Sequence, residues 1–131
     1  MAVSAAAQSD SAEPQVLAWV ESYFAAINAH DYQAYISLLG PQLAAGVTPA
    51  GFTNGFGSTH DSGATLTGIA DQGGGSEAAT VSFTSHQNSS QSVNGQDTCD
   101  MWTITVYLAP SGGSYVQVPP PSGYASSHQA C

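Results

Sequence analysis

The stretch 99-CDMWTITVYL-108 carries the strongest strand pattern in the chain, because its side chains alternate between apolar and polar over most of its length. Alternation with a period of two is typical of a β-strand that buries one face. The same parity places Asp100 on the face that carries Trp102, Ile104, Val106 and Leu108. We therefore predict a strand over residues 99–108 with one face against a hydrophobic core.

Shorter strands are predicted on both sides of this one. Residues 64–70 are β-branched and alternating, and residues 79–86 place Val81 and Phe83 on one face. The Gly-rich segment 72–76 between them predicts a tight turn. A further strand over 114–118 follows a turn at 110–113, and the prolines after it cannot continue a hydrogen-bonded ladder. Together these segments predict an antiparallel meander.

The first part of the chain has helical spacing instead. Apolar residues recur every three or four positions over residues 14–29, and Pro14 suits a first helical position. Asp31 predicts the N-cap of a second helix over 32–39, and Thr48 before Pro49 predicts a third helix that ends near Phe56. Helices followed by a meander predict an α+β fold, with three N-terminal helices packed on one face of a curved antiparallel sheet.

The domain boundary is predicted near residue 13. Residues 1–12 are small and polar without apolar periodicity, which predicts a disordered leader. Residues 13–131 have the length and the aromatic content of a single domain.

The chain contains no lysine or arginine, nine carboxylates and four histidines, which gives a formal charge of -9. Nucleic acids and anionic membrane surfaces are disfavoured partners, because both are recognised mainly by basic side chains. A small neutral or cationic ligand remains possible, since a negative field attracts cations. No metal-ligand motif and no phosphate-binding loop occurs, so we expect neither a metal nor a cofactor.

The two cysteines, Cys99 and Cys131, are compatible with one disulfide that fastens the tail to the main strand. Two unrelated free thiols are the alternative. A disulfide would indicate a secreted or extracytoplasmic protein, although the sequence shows no signal peptide or membrane anchor.

Five segments together resemble the NTF2-like (SnoaL-like) superfamily: YFAAINAHDYQAYISLL at 23–39, DSGATLTGI at 61–69, ATVSFTSHQ at 79–87, WTITVYL at 102–108 and PPPSGYASSHQAC at 119–131. More narrowly, they resemble actinobacterial exported or membrane-anchored domains of unknown function. The resemblance implies a curved sheet wrapped around a conical, helix-covered pocket. One departure is clear: Gln33, Gln42 and Gln117 stand where the relatives carry arginines, so no arginine-based function is carried over.

The resemblance also implies candidate site residues. Enzymes of the superfamily often place an Asp with a His or Tyr inside the cone, which makes Asp100 the candidate acid and His86 a weaker candidate base. Each has a simpler interpretation: a carboxylate at a strand start points into solvent or caps a turn, and His86 lies on the face opposite Phe83. Candidate ligand-binding residues are aromatic and equally suited to a plain core: Trp19, Tyr23, Tyr35, Phe83 and Trp102.

Histidine and aspartate are adjacent twice in the sequence, which suggests acid–base pairs, but structural roles explain both positions better. His60 and Asp61 point in opposite directions on an extended chain, so we predict that Asp61 caps a turn. His30 suits a helix C-terminus through the helix dipole.

The sequence therefore favours a non-enzymatic domain that binds a small neutral or cationic ligand. The first alternative is a SnoaL-like lyase or isomerase that uses a pocket Asp with a Tyr or His. The second is a collapsed pocket in a protein that dimerises through its exposed sheet face, which leaves both monomer and homodimer open.

Overall fold

The computed structural model describes residues 1–131 and has an α+β fold. Its helices are α1 (Ala5–Gln8), α2 (Glu13–Asn28), α3 (Tyr32–Ile36), α4 (Pro41–Ala44) and α5 (Pro49–Phe56), with a 3₁₀ turn at Ser89–Gln91. Its strands are β1 (Ala2–Val3), β2 (His60–Gly73), β3 (Ser76–His86), β4 (Cys99–Ser111), β5 (Ser114–Val118) and β6 (Ser127–Ala130). No helix is long and apolar enough to cross a membrane.

The strands form one open, six-stranded sheet in the order β1-β2-β3-β4-β5. All pairs are antiparallel except β1 with β2. β5 and β6 share the free edge of β4, where β5 pairs with its last residues and β6 with residues 100–103. The predicted meander is thus confirmed, with β1 and β6 added to it.

The three predicted helices are present, and the second and third have their predicted N-caps. The Asp31 carboxylate accepts a hydrogen bond from the Ala34 N–H, and the Thr48 hydroxyl accepts one from the Gly51 N–H. The second helix ends earlier than predicted, at Ile36, and the short α4 follows Gly40.

The disordered leader predicted for residues 1–12 is instead folded onto the sheet. Ala2 and Val3 pair with Thr65 and Leu66, and the Ser4 N–H donates to the Leu66 carbonyl at 2.9 Å. Ala7 of α1 is fully buried in the core. Small residues carry no periodic signal, but they allow this close approach to the edge of β2.

The main core lies between α2 and one face of the sheet. Val16, Trp19, Val20 and Phe24 of α2 meet a layer of buried residues from four strands: Leu66, Ala79, Val81, Val106, Leu108 and Tyr115. Burial of such side chains stabilises the fold by about 1.5–3 kcal/mol each. The parity predicted for β4 is confirmed at Val106 and Leu108.

Candidate functional site

A cavity of about 230 Å³ lies beside this core, between the sheet, α2, α5 and the β3–β4 loop. Its walls are mainly apolar and aromatic: Tyr23, Ile27, Phe56, Phe83, Trp102 and Ile104. Polar side chains line one end, and among them are the carboxylates of Asp61 and Asp100. An apolar pocket with a few convergent polar groups is the usual form of a small-molecule site.

The register of the sheet brings the two carboxylates into one row. Asp61 of β2 pairs with Ser85 of β3, and Ser85 pairs with Asp100 of β4. Two strand spacings separate the backbones of the two acids by about 10 Å. Ser85 is buried between them. All three residues line the cavity, so a single small ligand can meet both acids.

Asp100 is buried, with only 1 % of its surface exposed. Its Oδ2 accepts a hydrogen bond from Nε2 of Gln87 at 3.1 Å, while its Oδ1 has no partner. Loss of hydration raises the pKa of this carboxyl, and the neighbouring Asp97 raises it further, whereas Gln87 and His128 oppose the rise. The interpretation of Asp100 as a solvent-facing residue is wrong, because uninterrupted β3–β4 pairing keeps it on the core face.

Asp61 is also buried, with 7 % of its surface exposed, and its Oδ1 has no hydrogen-bond partner. Burial raises the pKa of this carboxyl, and the nearby Ser85 hydroxyl and His60 partly offset the rise. The predicted turn cap is wrong here, since Asp61 lies within β2.

A β-bulge turns Asp61 towards the cavity. Counting back by twos from the buried Leu66 puts Asp61 on the outer face. The pairing of β2 with β3 shifts between Ser62 and Thr65, where Gly63 has a positive φ of 64°. One extra residue in the strand reverses the alternation and turns Asp61 inward. The Gly63 signal is present in the sequence, but only strand pairing reveals the shift.

The end of α2 fixes the backbone of Asp61. The Asn28 side chain donates to the Asp61 carbonyl at 2.9 Å, and its Oδ1 accepts from the Asp61 N–H at 2.7 Å. His30 follows the helix with a positive φ of 53°, and its Nε2 lies 2.9 Å from the Thr59 carbonyl oxygen. These contacts make Asp61 a rigidly placed group, and they give His30 a structural role.

The β3–β4 loop closes the cavity beside α5. The Gln91 side chain accepts from the Ser58 N–H at 2.9 Å and donates to the Thr53 carbonyl at 3.2 Å. The Ser58 hydroxyl in turn accepts from the Asn88 N–H. Ser92 and Val93 of the same loop line the cavity, so the loop is part of the wall.

The predicted aromatic residues divide between the cavity and the core. Tyr23, Phe83 and Trp102 line the cavity. Trp19 is buried in the core and donates through its indole N–H to the Leu38 carbonyl at 3.3 Å. Tyr35 packs among Tyr23, Phe52 and Phe56. Burial raises the pKa of the Tyr23 hydroxyl, and nearby Asp61 adds to this, so Tyr23 keeps its proton.

The other candidate, His86, is exposed on the outer side of β3 and does not line the cavity. The predicted disulfide between Cys99 and Cys131 is present, with a Cα–Cα distance of 5.4 Å. It holds β6 beside the first residues of β4, where His128 stacks on Trp102 at 4.4 Å between ring centroids. The tail therefore extends the sheet beside the cavity and places His128 on the same face as Trp102.

Comparison of the chain with protein-family models, curated proteins and solved structures finds no match.

Proposed function

We propose that this protein is an exported, NTF2-like domain that binds a small neutral or cationic ligand without transforming it. The observation that carries the proposal is the cavity of about 230 Å³, in which apolar walls surround two buried carboxylates with unpartnered oxygens. A buried polar atom without a partner costs about 1–3 kcal/mol, and a ligand that satisfies it recovers that cost. The helices before an antiparallel meander support the family assignment, and the disulfide supports export.

The volume of the cavity limits the size of the ligand. Drug-sized ligands occupy pockets of roughly 300–1,000 Å³. A cavity of about 230 Å³ suits a molecule with one ring or a short branched chain. Neither arginine nor lysine is available to hold a carboxylate or phosphate group, so anionic ligands are poor candidates.

Gly55 allows a direct test of the site. It lies in α5 at the cavity wall, and a Cβ atom placed there meets no atom within 4 Å. Gly55→Leu should therefore fill part of the cavity without strain. Ala50→Leu is the matched control, because Ala50 is exposed on the same helix and outside the cavity.

The experiment screens one-ring neutral and cationic fragments by thermal shift and confirms hits by calorimetry. We expect some of them to raise the melting temperature of the unsubstituted chain and of Ala50→Leu, and to lose at least tenfold in affinity with Gly55→Leu. If no fragment binds, or if Gly55→Leu binds as well as the control, the cavity is not a ligand site.

A lyase or isomerase is the second candidate, and the burial of Asp61 near Tyr23 favours it. A carboxylate with a raised pKa is suited to take a proton from a carbon acid, and a protonated phenol can stabilise the resulting oxyanion. Small cyclic ketones in D₂O test this candidate: exchange of their α-protons that depends on Asp61 would establish catalysis. Exchange at the buffer rate would leave binding as the function.

A further inference from the structure

We propose that Asp61 and Asp100 together recognise a primary ammonium group, so that the ligand of the cavity is a small organic amine with an apolar body. This inference rests on the proposed binding function and names the chemical class of its ligand. It is carried by the position of the two acids in one cross-strand row and by their unpartnered Oδ1 atoms.

The acids lack any other strong positive partner. The chain has no lysine or arginine, and the terminal amino group lies 4.0 Å from Glu21 instead. Only the exposed His60 and His128 are close enough to influence the charge of Asp61 and Asp100. Two buried carboxylates in an apolar cavity attract a cation strongly, because little water screens the interaction.

The geometry favours an N–H donor over a cation without one. An ammonium group has three donors in a compact head. Asp61 and Asp100 both line the cavity in one cross-strand row, so two of these donors can be shared between the two carboxylates. The unpartnered oxygens are hydrogen-bond acceptors, so a quaternary ammonium ion leaves their hydrogen-bonding capacity unused.

The walls favour an apolar body over an inorganic ion. Calcium takes six to eight oxygen ligands and usually several carboxylates, whereas no group of three His, Cys, Asp or Glu side chains that could hold a metal ion occurs. Phe83, Trp102 and Ile104 continue from the acidic end along the sheet face. An apolar chain or ring attached to the ammonium group would cover them, and the aromatic faces attract its positive charge.

The test compares ligands of equal shape and different charge in 0.15 M NaCl. The probes are benzylamine, cyclohexylmethylamine and isoamylamine, each paired with the alcohol that replaces NH₃⁺ by OH, together with benzyltrimethylammonium. The proteins are the full chain, Asp61→Asn and Asp100→Asn. Asp71→Asn is the matched control, because Asp71 lies at the far end of β2, is exposed and loses the same charge.

We expect at least one amine to bind tenfold or more tightly than its alcohol and than the quaternary ion. Asp61→Asn and Asp100→Asn should each lower amine affinity at least fivefold while alcohol affinity stays within twofold, which also shows that the variants are folded. Asp71→Asn should change neither affinity.

Three results overturn the inference. Equal binding of amine and alcohol, or amine binding that survives both Asn variants, refutes amine recognition and leaves the binding function standing. Equal binding of the quaternary ion shows that the aromatic walls alone select the cation. Failure of every probe to bind refutes the amine and, together with a negative fragment screen, the binding function itself.

Discussion

Two rows of residues cross the same three strands, but one row is packed and the other keeps unpartnered polar atoms. Leu66, Val81 and Ile104 pair across β2, β3 and β4 with apolar side chains, and the first two are closed to solvent by α2. Asp61, Ser85 and Asp100 pair across the same strands about 13 Å further along, where the sheet faces the cavity. The apolar row is satisfied by packing, whereas the acidic row keeps unpartnered oxygens. The half of the sheet with the apolar row is thus stabilised by packing, whereas the carboxylates of the other half are left to bind a proton or a ligand.

The largest effect is expected in the apolar row. Leu66 is fully buried, and Leu66→Ala should lower the free energy of unfolding by about 3–5 kcal/mol, since the substitution loses apolar burial and leaves a cavity. Urea denaturation measures this loss. Met101→Ala is the control, because Met101 is 42 % exposed and should change stability by no more than about 0.5 kcal/mol. A loss below 1 kcal/mol at Leu66 would mean that the apolar row is not the stable half.

The disulfide next to the acidic row should have the second-largest effect. It closes a loop with a sequence separation of 32, and the chain-entropy account gives about 2–4 kcal/mol for loops of such size. The double variant Cys99→Ala with Cys131→Ala should lose that amount in chemical denaturation. Added reductant should destabilise the unsubstituted chain similarly and leave the double variant unchanged. If the unsubstituted chain and the double variant are equally stable without reductant, the disulfide does not hold β6 against β4.

Protonation of the acidic row should stabilise the fold, whereas the two preceding changes destabilise it. Burial raises the pKa of Asp61 and Asp100 above their ordinary values, so the folded state binds protons more readily than the unfolded chain. The free energy of unfolding therefore increases as pH falls from 7 towards 5, and this gain is complete near the unfolded value of about 3.9. Thermal unfolding across this interval measures the effect.

Removing the two charges should reproduce part of this gain at pH 7. Asp61→Asn with Asp100→Asn is expected to raise the free energy of unfolding by on the order of 1 kcal/mol, since a buried charge is replaced by a neutral amide. Its pH dependence should be flatter but not abolished, because burial and the nearby Asp10 and Asp71 also raise the pKa of Glu77. If the melting temperature of the unsubstituted chain falls between pH 7 and pH 5, the two buried carboxylates do not have raised pKa values.

The sequence predicted those parts of the molecule where local chemistry and periodicity agree. Asp31 and Thr48 cap helices at the positions where side-chain oxygens precede helical spacing. The alternation of β4 placed Asp100 with Val106 and Leu108, and uninterrupted pairing with β3 kept it there. The number of cysteines allowed either one disulfide or two free thiols, and the structure shows the disulfide between Cys99 and Cys131.

Other parts depended on partners distant in sequence. Ala2 and Val3 become a strand only because the edge of β2 is free, and Ser127–Ala130 only because β4 offers the remaining edge beside the disulfide. Neither segment has strong strand propensity, so hydrogen bonding to an existing strand decides their structure.

The α+β order of elements, two helix caps, the inward face of β4 and a charge that no basic side chain balances can all be read from the amino-acid sequence. The inward position of Asp61, in one row with Asp100, follows from the packed sheet alone. The reason is that a bulge at Gly63 reverses strand parity, and a reversal of this kind is defined by the register between strands, which no single segment contains.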